Sequence, residues 1–261
     1  MKISDSIIPI VREAASLMVR SGFDVMEKGS QVNLVTSSDL AVQEFLVSRL
    51  LGIIPGAGFL CEENDLADLS HEYVWIIDPI DGTANYARGI GDCCISVALA
   101  RRGELVAGVV YIPWRDELYH AEKGFGAFMN GRQLKVSDRP MSACLFGTAM
   151  SAYRKEFAKV CSDIIFDVYM RSNDVRRFGS AAVELCMLAA GQLDLYFEMR
   201  LQPWDYAAAS LIISEAGGFS CGFDGKRLSL DNASLVLAAN SEENLADILA
   251  TVRKYLPKLP Y

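Results

Sequence analysis

The sequence predicts an α+β fold, or a layered αβαβα sandwich, from three observations along its length. Apolar residues recur at helical spacing near the start, the middle is a run of short apolar segments cut by turn residues, and helical and strand patterns alternate after residue 150.

Over residues 4–20, Ile7, Ile8, Val11, Ala14, Ala15, Met18 and Val19 share one helical face, and Gly22 ends that helix. Residues 28–35 read as a short polar loop or hairpin, after which Ser37 or Ser38 caps a second helix reaching residue 51. Gly58-Phe59-Leu60-Cys61 is a short strand that delivers Glu62 and Glu63 at its end. Trp75-Ile76-Ile77 has the β-branched and aromatic character of a strand covered on both faces. Four segments, 93–100, 106–112, 117–121 and 126–136, are separated by polar and glycine-containing stretches, the rhythm of an antiparallel meander, with Lys123-Gly124 and Asn130-Gly131 in hairpin turns. Gly124-Phe125-Gly126 lacks the third glycine and the following helix of a nucleotide-binding loop.

Residues 140–151 form the one plausible seam, dividing an N-terminal half, 1–140, from a C-terminal half, 141–261, tightly joined as one unit. A helix over 154–168 is followed by Arg176-Arg177, placed to attract an anion before a small-residue helix over 181–190. Residues 194–198 are a strand that brings Glu198 to its end. Asp205 stands at the start of a helix over 206–216 that Gly217-Gly218 stop, a strand follows over 235–239, and an amphipathic helix over 242–255 closes the chain.

The 261 residues carry 33 acidic and 25 basic side chains, a net charge of −8, which argues against general nucleic-acid or membrane-surface binding. An acidic protein that handles phosphate needs a local positive charge, and bound metal is its economical source. Seven cysteines without paired spacing, two of them the adjacent Cys93-Cys94, read as buried reduced thiols. No secretory or membrane-spanning apolar run is present, so the cytoplasm is the expected location. His71 and His120 have no metal-ligand spacing, and no Ser-His-Asp or Cys-His arrangement assembles, which leaves water as the expected nucleophile.

The chain is organised around Trp75-Ile76-Ile77-Asp78-Pro79-Ile80-Asp81-Gly82-Thr83. Two carboxylates held by a proline just past an apolar strand repel each other and lose hydration unless a cation compensates them. Mg²⁺ or Mn²⁺ suits such oxygen ligands. Gly82 and Thr83 then offer backbone N–H groups where a phosphate can sit beside the metal.

Asp78-Pro79-Ile80-Asp81-Gly82-Thr83 resembles the signature of the inositol monophosphatase family of Mg²⁺-dependent, lithium-sensitive phosphatases. Trp204-Asp205, with Glu215-Ala216-Gly217-Gly218 closing the same helix, resembles that family's other signature, and Glu62-Glu63 precede the first motif at the family's usual spacing. The resemblance covers nearly the whole chain and implies the layered αβαβα sandwich of the inositol monophosphatase and fructose-1,6-bisphosphatase type. It implies one Mg²⁺ on Glu62, Asp78 and the Ile80 carbonyl, and a second on Asp78, Asp81 and Asp205. The resemblance also implies a third, weaker position near residue 33, in the region that offers Lys28, Asn33 and Asp39; Asn33 stands there in place of an expected Asp, which weakens a third Mg²⁺ more than the first two. By the same resemblance Glu62 and Thr83 orient the attacking water, and a water near Asp205 protonates the leaving group. Gly82, Thr83 and Lys28 hold the phosphate. Glu198, Gly179, Ser180, Ala181 and Arg177 form the substrate pocket, with Arg200 and Gln202 as further candidates. Ala84 stands where relatives often carry Thr. The implied activity is hydrolysis of myo-inositol 1-phosphate or a related sugar monophosphate. Fructose 1,6-bisphosphate, histidinol phosphate and adenosine 3′,5′-bisphosphate are alternative substrates. A catalytically silent metal- or ligand-binding module is the non-enzyme alternative, against which the intact set Glu62, Asp78, Asp81, Thr83 and Asp205 speaks. The expected partners are a small-molecule phosphate ester and a second copy of the chain in a homodimer.

Overall fold

The structure, a computed structural model, describes residues 2–18, 24–30, 33–63, 67–151 and 154–258. Helix α1 (Ile3–Ala14) buries Ile7, Val11 and Ala14 of the predicted stripe but ends well before the expected residue 20, the chain tightening into a single 3₁₀ turn over Ala15–Leu17; Gly22, the expected stop, lies outside the described residues. Strands β1 (Val25–Ser30) and β2 (Asn33–Thr36) form the hairpin that leads into α2 (Ser37–Leu50). The cap of α2 is Thr36, not Ser37 or Ser38. Thr36 ends β2 with an extended backbone, and it exchanges hydrogen bonds with Asp39 in a capping box that leaves both serines inside the helix.

Strands β3 (Gly58–Cys61) and β4 (Tyr73–Asp81) pair in parallel. After the single-turn helix α3 (Thr83–Tyr86), the predicted meander follows as β5 (Cys94–Arg101), β6 (Glu104–Ile112), β7 (Glu117–Glu122), β8 (Ala127–Met129) and β9 (Arg132–Gln133). All seven strands form one sheet in the order β3 to β9, with every pairing after β4 antiparallel. Asn130 and Gly131 both have positive φ, +48° and +80°, as a two-residue hairpin loop between twisted strands requires.

The second half contains β10 (Leu145–Thr148), α4 (Ala158–Tyr169), β11 (Asp174–Arg176), α5 (Ala181–Ala189), β12 (Leu195–Leu201), α6 (Pro203–Glu215), β13 (Phe219–Cys221), β14 (Ser234–Ala239) and α7 (Glu242–Tyr255). Its five-stranded mixed sheet has the order β11-β10-β12-β14-β13. Residues 140–151 are therefore not only a seam, since β10 lies within them and pairs on both sides. Four residues with a central glycine carry too little periodicity to announce a strand. Gly147 is there because a Cβ would come within 2.9 Å of Glu184 Oε2 and of Leu193 Cδ1. Two further boundaries differ from expectation. Strand β12 continues past Glu198 to Leu201, and α6 begins at Pro203, whose fixed φ suits a first helical turn, instead of at Tyr206.

The layers run α1 and α2, the large sheet, α5 and α6, the small sheet, then α4 and α7, an αβαβα sandwich with three cores between them. Helices α5 and α6 bury apolar residues on both sides because both of their faces meet a sheet. The approach is close: a Cβ on Gly108 of β6 would stand 2.8 Å from the Ala208 carbonyl of α6, so glycine faces alanine there. All seven cysteines are buried free thiols. His71 is on the surface beside Asp68, and His120 stacks on Phe128, so both histidines have structural surroundings. Among the described residues no helix is long and apolar enough to cross a membrane.

Candidate active site

Asp78 and Asp81 come from the end of β4, where the ladder to β5 slips. Asp78 pairs with Ser96 and Asp81 with Cys94, so three steps on β4 match two on β5. In a regular strand positions i and i+3 face opposite sides, and this bulge turns both carboxylates to one side. Pro79 sits in the bulge without a backbone N–H to leave unpaired. Because β3 runs parallel to β4 with Cys61 opposite Ile77, and the Glu62 N–H donates to the Ile77 carbonyl at 3.2 Å, Glu62 arrives level with Asp78. Asp205 is the third residue of α6, its Oδ2 accepting the Gln202 N–H at 2.7 Å. Carboxylate oxygens of Asp78, Asp81 and Asp205 lie within 4.8 Å of one another.

The second half of the chain holds Asp81 in place. Its Oδ2 accepts both the Ser180 hydroxyl and the Ala182 N–H, each at 2.6 Å, at the start of α5. The Thr83 hydroxyl is 3.0 Å from the Ile80 carbonyl and 3.4 Å from Asp39 Oδ1. Gly82 caps α3 with φ +89°, and a Cβ there would press on the Asp92 carbonyl at 3.0 Å, so the turn between Asp81 and Thr83 requires glycine.

Asp78 is buried, while Asp81 and Asp205 open partly onto a cleft. Burial, then the charges of Glu62, Asp81, Asp205 and Asp39, push the Asp78 carboxyl well above the usual carboxylate range. Asp205 is raised well above it too, by burial, Asp81 and Glu62, against the Gln202 N–H. Burial raises Asp81 as well, and the Ser180 hydroxyl and Ala182 N–H oppose it. Among the described residues no arginine or lysine pairs with these three aspartates. An all-oxygen set of mutually repelling carboxylates, oriented by backbone and hydroxyl donors, fits a hard divalent cation.

The cleft, of about 570 Å³, collects residues from β4, α3, β12 and the approaches to α5 and α6. It brings together Glu62, Asp78, Ile80, Asp81, Gly82, Thr83 and Asp205 with the expected pocket residues Arg177, Gly179, Ser180, Ala181 and Glu198; Arg200 and Gln202 line it too. A groove of similar size along α6 and α7 contains none of them. Burial pushes the Glu198 carboxyl up to about 7, against the Tyr196 hydroxyl that donates to it at 2.7 Å and the nearby charge of Arg177.

Other expected residues separate. Arg176 turns away to pair with Asp174, so the two arginines do not act as one anion site. Glu63 is buried beside Gln43, whose side chain bonds its backbone N–H and carbonyl at 2.9 and 2.7 Å. Lys28 and Asn33 lie on β1 and β2, and their side chains are outside the described part. Sequence reasoning missed Glu184, a lone acid in the apolar α5. Its Oε1 accepts the N–H groups of Phe178 and Gly179 at 2.8 and 3.1 Å, while Oε2 is buried without a hydrogen-bond partner. It missed Asn85 as well, whose amide donates to the Phe178 and Asp92 carbonyls, both at 2.7 Å, and so ties the two halves together behind the site. An isolated acid within an apolar helix was the available signal for the first; nothing local marked the second.

Fold and site together define a class of layered α+β proteins with an acidic, all-oxygen cluster that could bind a metal ion where the two halves meet. Within that class the chain belongs to the inositol monophosphatase family, whose profile matches residues 1–256. It is 39% identical over 228 residues to the inositol-1-monophosphatase of Mesorhizobium japonicum, covering 85% of this chain and 84% of that one. It is 34% identical over 224 residues to Nus factor SuhB of Xylella fastidiosa, covering 84% and 81%. The solved structure of the Thermotoga maritima IMPase matches with a TM-score of 0.88 at 28% identity, over 98% of both chains. Metal dependence is a property of this family, in agreement with the acidic cluster.

Proposed function

We propose that the protein hydrolyses phosphate monoesters of inositol or a related sugar in an Mg²⁺-dependent reaction. The observation that carries this reading is the convergence of Asp78, Asp81 and Asp205 within 4.8 Å in a cleft that also holds Glu62 and Thr83. Glu62, Asp78 and the Ile80 carbonyl would hold one ion, and Asp78, Asp81 and Asp205 a second, with Asp78 shared. When bound, such ions supply Lewis acidity, which lowers the pKa of water and stabilises a departing alkoxide.

The chain's own groups divide the remaining work. Glu62 accepts a proton from the attacking water, and Thr83 orients that water: its hydroxyl donates to the Ile80 carbonyl at 3.0 Å, which leaves lone pairs to accept from the water. The Gly82 and Thr83 N–H groups, with Lys28, hold the phosphate oxygens. Glu198, partly buried, accepts hydrogen bonds from the polyol hydroxyls, and Gly179 and Ala181 shape the pocket beside it. Ser180 supports this pocket indirectly, because its hydroxyl is committed to Asp81 and to the Val183 N–H. Water oxygen bonds to phosphorus as the ester P–O bond breaks, and a water near Asp205 gives the leaving oxygen its proton.

The test is phosphate release from myo-inositol 1-phosphate, fructose 1,6-bisphosphate, histidinol phosphate and adenosine 3′,5′-bisphosphate, with Mg²⁺ or chelator and with Asp78→Asn as control. Metal-dependent release that the variant loses supports the reading. A relative that bears the name Nus factor gives the non-catalytic alternative its footing. Silence on the whole panel from folded, Mg²⁺-binding protein would move the conclusion there. The expected homodimer is checked separately by sedimentation.

A further inference from the structure

The turn that leads into α5 is held by residues from both halves of the chain. The carbonyl of the peptide group joining Phe178 to Gly179 accepts the Asn85 amide at 2.7 Å, and its N–H donates to Glu184 Oε1 at 3.1 Å. In a trans peptide these two groups point in opposite directions, so Asn85 and Glu184 grip the plane between them. Asn85 belongs to α3, just beyond Thr83, and its amide also donates to the Asp92 carbonyl at 2.7 Å. Glu184 belongs to α5 and accepts the Phe178 N–H as well, at 2.8 Å. Gly179 makes the room: its φ is +88°, and a Cβ there would stand 3.2 Å from both polar atoms of the Asn85 amide.

A carboxyl is costly to bury in an apolar helix between two sheets, and Glu184 is the one charged residue of α5. Both of its hydrogen bonds go to this turn, and among the described residues Oε2 has no hydrogen-bond partner. The turn in its place carries Ser180. That residue caps α5, and its hydroxyl and the Ala182 N–H both donate to Asp81 Oδ2 at 2.6 Å, which fixes the rotation of the carboxylate. The contacts close a ring: from Asp81 along the chain to Asn85, across to Phe178 and Gly179, on to Ser180 and back to Asp81. Glu184 braces that ring from the second half.

We propose that Asn85 and Glu184 are positioning residues for the cation: by gripping the Phe178–Gly179 peptide they aim the Ser180 hydroxyl and the Ala182 N–H at Asp81, and so set the affinity for the divalent ion. This inference rests on the metal-site reading above and adds no ligand to it. Neither residue binds the ion; each acts through the turn. Partners that orient a ligand directly are worth about tenfold to a hundredfold in metal affinity, and one contact further out the factor is smaller. The site is then complete only when the two halves are docked, since Asp81 comes from the first and its donors come from the second.

The experiment is calorimetric Mg²⁺ titration of the native protein, Asn85→Leu, Glu184→Leu, Glu184→Gln, Ser180→Ala and the double variant Ser180→Ala with Glu184→Leu. Val160→Ala, which opens a cavity in the outer core beneath α4, serves as a variant that is less stable for an unrelated reason. Melting temperatures establish which variants are folded at the titration temperature; should Glu184→Leu not fold, Asn85→Leu, at a partly buried position, carries the same test. Both leucine variants are expected to bind Mg²⁺ about fivefold or more weakly, and Glu184→Gln, which keeps the acceptor, to stay within about twofold of native. Val160→Ala should melt lower and bind as the native protein does. Because Glu184 acts through the turn that carries Ser180, the loss in the double variant should fall short of the product of the two single losses. Leucine variants of native affinity overturn the inference and leave the metal site standing, as does a double variant whose losses multiply in full or an equal loss in Val160→Ala. Equal losses in Glu184→Gln and Glu184→Leu overturn the role given to the hydrogen bonds of Glu184. A native protein that binds no Mg²⁺ overturns the metal-site reading itself, and this inference with it.

Discussion

Replacing Glu184 with glutamine tests how the cleft's supporting structure handles charge. The Glu184 side chain is 1% exposed, and burial pushes its carboxyl from 4.5 up to about 8, although the Phe178 and Gly179 N–H groups donate to Oε1 and oppose the rise. Because the folded value lies above the unfolded one, folding takes up a proton between them. The group's contribution to stability is full below about pH 4.5 and is lost as pH rises towards about 8. At 1.36 kcal/mol per pH unit, the loss between about pH 4.5 and pH 7 is about 3 kcal/mol. Glutamine keeps an acceptor for the two N–H groups and cannot ionise. Glu184→Gln is therefore expected to match the native protein near pH 4.5 and to exceed it by about 3 kcal/mol near neutrality. The assay is urea unfolding of both proteins across this range with Mg²⁺ saturating, which cancels the titration of the other carboxylates. A stability difference that does not change with pH, or a variant that is weaker throughout, would refute the reasoning.

The other predictions concern the metal site and the packing beneath it. Asp78→Asn is expected to abolish calorimetric Mg²⁺ binding at the shared position and to lower phosphate release by about a hundredfold or more. Ser180→Ala removes a donor to Asp81 and the cap of α5. Melting should show a loss of about 1 kcal/mol, and Mg²⁺ titration a fall in affinity of about tenfold. Chelating Mg²⁺ should lower the melting temperature more at alkaline than at acid pH, because Asp78 and Asp205, both raised by burial, take up protons as pH falls and so relieve the repulsion that metal otherwise offsets. Gly108→Ala would put a Cβ 2.8 Å from the Ala208 carbonyl, so denaturant unfolding should show a loss of about 1–3 kcal/mol with little change in substrate KM.

Much of the site was legible because its chemistry is local. Asp78, Pro79, Asp81 and Gly82 adjoin one another, and their unfavourable charge pairing after an apolar strand points to a cation without knowledge of the fold. The amphipathic faces of α1 and α7 were equally plain, since one side of each meets solvent. Strands β10, β11 and β13 were not legible: they are three or four residues long, and their partners come from far along the chain.

By itself, then, the amino-acid sequence determined which residue types stand beside which, and through them the expectation of a metal- and phosphate-directed chemistry and the division into helices, meander and alternating units. Only the tertiary structure decided that a bulge turns Asp78 and Asp81 to the same side, and that Ser180 and Ala182 pin Asp81 from the other half of the chain. It alone paired Arg176 with Asp174 and brought Arg88 and Arg200 to line the same cleft as Arg177. Such contacts depend on strand register and on how the five layers stack, which are fixed by the burial of all three cores at once and leave no mark on any short stretch of sequence.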